Sequence, residues 1–389
     1  MTGFGMWAEA CLGRRLLGGV VAIALAVAWI GHGNAAPPRS IADVTAVLDR
    51  HKPDAAKLEA MRQKADATPQ GVLNDQRLAE FLFERSQAAA ALGRREQTLA
   101  DAREAVATGR RPNHPALTRF IQYQATTEED LGNLRVALDL QRERLRTART
   151  PPQQLTAQVG IANVQLRLGS FGDAERSLQA AESLIEHMRA GAAGDSQIMV
   201  PIFQANVDGV RTGIAIQTGR LAGAEPLARR VLVRFNDARR NPAVQAIAAA
   251  QQVQDDIYQR QYLNASVRLT RLLFKQGRLT DAETEARSGL NEALTLYGRY
   301  SPLANAAVLL LAQVVYEQGR YGDAATLSAI AVETFRQLGA GTGSFQLAEA
   351  LMIRGRVALN LGDHAAALAA FEEARALFPR DETLRRRYV

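Results

Sequence analysis

Apolar residues along this chain recur at three- and four-residue intervals, and runs of alternating apolar and polar residues are scarce. Valine and isoleucine share the helical spacing, so the pattern predicts helices and hardly any strand. Seven glycines punctuate the stretches: Gly93, Gly132, Gly169, Gly219, Gly277, Gly319 and Gly362. Each closes one apolar stretch, is followed five positions later by a small or polar residue, and opens another helix. One such helix pair cannot bury its apolar face alone, so tandem pairs must stack. The expected fold is all-α, a right-handed solenoid of about seven helix pairs.

The breaks set the expected boundaries. Ser40 followed by Asp43 reads as a capping box opening a first helix from Ile41 to about Arg50. His51-Lys52-Pro53-Asp54 ends it, and Ala55 to Ala65 forms a second helix. This pair, within 37–73, is expected to cap the N-terminal end. The array is expected over 74–381, in units of roughly 74–111, 112–150, 151–190, 197–240, 243–298, 301–338 and 344–381, with a tail at 382–389. Turn-to-turn spacings of 39, 37, 50, 58, 42 and 43 residues leave room for longer helices or larger loops than a minimal repeat. From Ala243 to Gln276 there is no Gly or Pro, which allows one long helix or a pair.

Composition agrees with helix-on-helix packing: 47% of residues are hydrophobic but only 6% aromatic. Residues 1–36 stand apart. Arg14-Arg15 precede the apolar run Leu16–Ile30, then come Gly33-Asn34-Ala35-Ala36 and two prolines, the layout of a secretory signal peptide cleaved after Ala35 or Ala36. An uncleaved inner-membrane anchor is the competing reading, the only one with a membrane contact, and fifteen apolar residues fall short of the ~20 that span a bilayer. The expected location is the periplasm or the exterior. Cys11 and both tryptophans lie in this leader, so the mature chain would have no thiol chemistry. Losing Glu9, Arg14 and Arg15 lowers the net charge from +7 to +6. The basic residues are scattered among carboxylates without interleaved aromatics, which reads as solvated helix faces, not a nucleic-acid surface.

Several units resemble tetratricopeptide repeats position by position. In the last, Gly355, Gly362, Ala367, Phe371, Ala374 and Pro379 fill the motif, although Arg354 replaces the usual Leu. Leu311-Ala312, Gly319, Tyr321, Ala324 and Ala331 match in the unit before, with Ser328 departing. Ile161-Ala162, Gly169, Phe171, Ala174 and Ala181 match in the third unit, and Gly277, Leu279 and Ala282 keep the fifth. In the first two, Thr98 and Gln141 occupy positions meant for Ala and Phe. Small residues let the two helices of a pair touch, and large ones fill the gap to the next pair. The chain also resembles bacterial exported proteins in which such repeats precede a caspase-like CHAT peptidase domain. Ile41-Ala42-Asp43-Val44, Lys52-Pro53-Asp54, Ala88 to Arg94, Gln276 to Glu283 and Glu317 to Tyr321 carry that likeness. The peptidase domain itself is missing from this sequence.

The inventory for catalysis is thin. Outside the leader, His51, His114, His187 and His364 are isolated, and none has a helical i,i+4 partner for zinc. There is no phosphate loop and no nucleophile elbow. Glu128-Glu129-Asp130 and Asp255-Asp256 read as solvated charge. The expectation is no enzyme, no metal and no cofactor. The repeat resemblance implies instead that the first helix of each pair lines a groove for a protein or peptide. Its inward positions map to Asn163, Arg167, Arg271, Lys275, Gln313, Tyr316, Arg356 and Asn360. The set is polar and net positive, which suits a peptide with acidic side chains or a free C-terminal carboxylate. Glycan binding would need aromatic walls, for which Tyr316 and Phe274 are the candidates. Phe371, Leu377 and Phe378 on the last pair are expected to be partly bare, which points to an oligomer or partner subunit at that end.

Overall fold

The computed structural model describes residues 40–50, 55–191, 195–250, 256–340 and 344–377. The expected leader at 1–36 and the tail at 382–389 lie outside them, as do His51, Asp255, Phe378 and Pro379. Among the described residues there are seventeen helices and no strand.

Two helices, α1 (Ala42–Arg50) and α2 (Ala55–Asp66), precede the array. Four pairs follow: α3 (Asp75–Ala91) with α4 (Arg95–Arg110), α5 (Leu117–Asp130) with α6 (Leu134–Thr147), α7 (Pro151–Arg167) with α8 (Phe171–Gly191), and α9 (Asp195–Thr218) with α10 (Ala224–Ala238). A short α11 (Pro242–Ala250) occupies the widest interval. Three more pairs follow among the described residues: α12 (Ile257–Lys275) with α13 (Leu279–Tyr297), α14 (Pro302–Glu317) with α15 (Tyr321–Gln337), and α16 (Phe345–Asn360) with α17 (His364–Ala376). Within the Gly- and Pro-free stretch after Ala243 the described residues include α11 and α12, and α12 begins the fifth pair.

The turns explain the punctuation. At Gly319, φ is +78°, and its N–H donates to the Tyr316 carbonyl while Arg320 N–H donates to that of Val315. This left-handed stop satisfies carbonyls that the end of α14 leaves open. The same pair of bonds recurs at Gly93, Gly132, Gly169, Gly277 and Gly362. Starts are fixed by side chains: Thr150 accepts from Gln153 N–H ahead of Pro151, and Ser301 from Ala304 N–H ahead of Pro302.

First helices of successive pairs touch one another, α7 with α9, α9 with α12, α12 with α14 and α14 with α16. The second helices make no comparably extensive contact among themselves, so the stack curves with its first helices on the inner wall. Buried alanines set the close approach within pairs: Ala174, Ala282 and Ala324 are fully enclosed. Part of the charge scattered over the surface joins neighbouring pairs. Arg320 meets Glu283, Arg336 meets Glu373, Arg356 meets Glu317, and Asn163 meets Glu129, each across 34 to 39 residues of chain. The reading of these charges as merely solvated faces is corrected to that extent.

α1 and α2 separate. Ala65 and Met61 of α2 pack with Ala88, Ala89 and Leu92 at the start of the array. Ile41, Val44 and Leu48 instead join the core formed by α13 to α16. Ser40 Oγ accepts from Ala42 N–H, whereas Asp43, expected to close a reciprocal capping box, sends its carboxylate to Arg287 on α13. The turn after α3 also reaches the far units: a Cβ placed on Gly93 would sit 3.7 Å from that of Ala340, just past α15. The first and sixth pairs thus meet, and the chain closes on itself.

Candidate functional site

The inner wall begins at the C-terminal end of α5. Glu129 accepts a hydrogen bond from Asn163 Nδ2 at 2.6 Å and lies 3.4 Å from the Arg167 guanidinium, both one pair further on. Burial pushes its carboxyl up to about 7, with Arg167 opposing the rise and Asp130 adding to it. Asp130 is 3.6 Å from Arg95 with half its side chain open to solvent, yet desolvation still raises its pKa. An accessible but desolvated carboxylate is what a concave wall produces.

Across the wall, α12 carries Arg268, Arg271 and Lys275 on one face, at i, i+3 and i+7. Arg268 extends over Gly209 of α9, where any Cβ would collide with its guanidinium. Its pKa is lowered by burial, against the pull of Glu129 and with a push from Arg271. Arg271 and Lys275 are exposed and meet no carboxylate among the described residues.

Further along, Gln313 of α14 donates to Glu349 of α16 at 3.0 Å. Asn360 donates to the Tyr316 hydroxyl at 2.8 Å, and the Arg356 guanidinium stacks 4.4 Å from the Tyr316 ring centroid while bonding Glu317. Tyr316 also packs against Tyr321. Phe274, the other aromatic candidate, is half-buried against the apolar cluster that includes Leu269 and Leu272.

The eight residues drawn from the sequence therefore fall into three groups along the inner helices α7, α12, and α14 with α16. Asn163 with Arg167, and Gln313 with Tyr316, Arg356 and Asn360, are held by neighbours. Arg271 with Lys275 stands open between them. Glu129 was missed: Glu128-Glu129-Asp130 is not simple solvated charge, since Glu128 is fully buried under Arg103, Gln124 and Asn133 and Glu129 is almost so. The 34-residue interval to Asn163, one repeat on, was the available signal. His114 is packed, its Nδ1 accepting from Ala116 N–H and its Nε2 facing Glu80, while His187 and His364 are exposed. Among the described residues no group of three or more His, Cys, Asp or Glu is placed to hold a metal ion, and no helix is long and apolar enough to cross a membrane.

A curved stack of helix pairs with a polar inner wall defines a helix-pair solenoid, a class that presents extended concave surfaces. Two segments, residues 267–336 and 348–381, match tetratricopeptide repeat models and are repeats of that family. The apo quorum sensor NprR from B. thuringiensis is 13% identical, with 83% of this chain and 81% of that one covered and a TM-score of 0.48. A Rap protein complexed with competence and sporulation factor is 16% identical, with 80% of each covered and a TM-score of 0.47. A tetratricopeptide repeat protein from Parabacteroides merdae is 15% identical, with 80% and 97% covered and a TM-score of 0.40. No curated protein matches the sequence significantly.

Proposed function

We propose that the chain is an exported, non-catalytic scaffold that holds a segment of a partner protein along its inner wall. The observation that carries this is the open cationic step on α12: Arg271 and Lys275, exposed and unpaired with any carboxylate among the described residues, between two groups of polar side chains held in place by neighbours. Pre-ordered polar groups lose little entropy on binding, and an unpaired guanidinium is free to make a charge-assisted bond. The segment it suits is extended or helical and acidic, or ends in a free carboxylate. A glycan is less well served, because the Tyr316 face is already covered by Arg356. Export rests on the leader's layout, and cleavage would leave a chain starting near Pro37.

The test is capture from periplasmic extract by the chain starting at Pro37, beside a variant carrying Arg271→Glu and Lys275→Glu. Both residues are exposed, so the variant should keep its Tm. Loss of the captured protein by tenfold or more supports the wall as the site. Equal capture by both would remove it.

A second reading rests on the last pair, where Leu359, Leu361 and Leu368 are each at least half exposed. Phe371, expected to be partly bare, is half-buried, with its ring against Gly355. A partner subunit covering those leucines would fit, and the CHAT resemblance would make it a protease for which this chain is the docking arm.

A further inference from the structure

α1 and the residue just before it offer Ile41, Val44 and Leu48 at i, i+3 and i+7, a single apolar stripe, and all three are buried in the core built by α13 to α16. The polar contacts at both of its ends come from the repeats. Arg287 of α13 donates to both Asp43 oxygens, at 2.8 and 2.7 Å, and to the Ser40 carbonyl at 2.9 Å. Arg299, in the turn before α14, donates to the Leu48 carbonyl at 3.1 Å and lies 3.5 Å from Asp49.

The polar frame of this seat is made within the repeats. Glu283, one turn back on α13, fixes Arg287, and is itself held by Arg320 and Gln318. α1 brings little support of its own. Nine residues are too few for a stable isolated helix, and the side chains of Asp43 and Asp49 are 57% and 75% exposed. The following helix, α2, packs elsewhere. An apolar seat flanked by two arginines that the repeats hold in place, filled by a short tethered helix, has the character of a ligand site occupied in cis.

We propose that the face of α13 and the turn into α14 is a docking site for an amphipathic helix of a partner protein. That helix has apolar residues at i, i+3 and i+7 and a carboxylate in its first turn. α1 is the internal occupant, and a partner helix of this pattern displaces it. The required chemistry is read from α1 itself: the stripe fills the seat, Arg287 takes the early carboxylate, and Arg299 takes a carbonyl at the helix end. A tether gives α1 a local concentration on the order of millimolar, so displacement needs a tighter helix or a weakened α1. This site is separate from the inner wall, and each can fail without the other.

The test uses the full chain with Cys11 replaced by serine and spin labels at Ala46→Cys and Thr295→Cys, both exposed positions. A single short distance is expected. Leu48→Ala should add a longer-distance population, and a synthetic peptide of residues 40–50 should raise that fraction several-fold and saturably. The same peptide carrying Leu48→Asp should do nothing. Asp43→Asn in the chain, a milder change at an exposed residue, should give a smaller opening that the peptide also enlarges. The proposal falls if the short distance persists in both variants at millimolar peptide. It falls equally if opening occurs only with loss of helicity throughout the chain, which would make α1 a fixed strut.

Discussion

Asp43 and Arg287 stand 244 residues apart in the chain, and carboxylate and guanidinium meet at 2.7 Å. Burial works against the charge on Asp43, but the hydrogen bonds and charge of Arg287 outweigh it and hold the carboxyl below its usual range. The contact therefore joins the first helix to the fifth pair through a group whose protonation can be controlled from outside.

A depressed pKa in the folded state means that the stabilisation is present above the unfolded value, near 3.8, and is lost as pH falls through the folded one. Lowering the pH from about 5 to about 3 should reduce amide protection in α1 before it does so in α13 or α14. Asp43→Asn should already show reduced α1 protection at neutral pH and little further change in acid. Site-resolved hydrogen exchange measures this, and equal loss of protection in all three helices would refute it.

Glu283 is the hub of the polar network beneath α1. It is fully buried and bonded to Arg287, Arg320 and Gln318. Removing it leaves Arg287 with Asp43 and Arg320 with Asp323, so the cost should lie near the lower end of what breaking a buried pair costs, about 3 kcal/mol. Glu283→Ala should lower the chemical-denaturation midpoint strongly, and Asp323→Ala, which removes a half-buried partner of Arg320, less. Comparable effects would show that solvent compensates the two arginines.

Gly355 is small for a packing reason. A Cβ there would overlap the ring of Phe371, 2.7 Å from its Cδ1. Gly355→Ala gains helix propensity yet overpacks the α16–α17 contact, for a net loss of about 1–2 kcal/mol. Phe371→Leu in the same chain should recover much of it, giving a coupling in a double-mutant cycle that independent sites lack. Additive effects would mean that the ring simply turns away.

The repeats were legible because their signals are local. A glycine in the left-handed region, such as Gly319, marks a turn whatever surrounds it, and alanines such as Ala324 mark a close helix approach. The placement of the eight inner-wall residues on α7, α12, α14 and α16 followed from the same register. The destination of α1 was not legible, since Ile41, Val44 and Leu48 would fit any apolar core, and only the closure of the stack brings α13 within reach. Glu129 looked like solvated charge because its environment is supplied by Asn163 and Arg167, one repeat later.

Glu129 makes the inner wall sensitive to pH in the opposite sense to Asp43. Its folded carboxyl titrates near 7, against about 4.5 when unfolded, because burial disfavours the charge more than Arg167 restores it. Between those values the folded chain binds more protons than the unfolded one, so stability falls as pH rises through the interval. The full difference is on the order of 3 kcal/mol at alkaline pH and vanishes below about 4. Glu129→Gln keeps an acceptor for Asn163 and removes the charge. It gives up the Arg167 pair, but that guanidinium is partly open to water and recovers solvation. Glu129→Gln should therefore unfold at a higher temperature than the parent at pH 8 and at nearly the same temperature at pH 4. A lower Tm at pH 8 would mean that the Arg167 pair outweighs the desolvation of the carboxylate, and that Glu129 is charged throughout the physiological range.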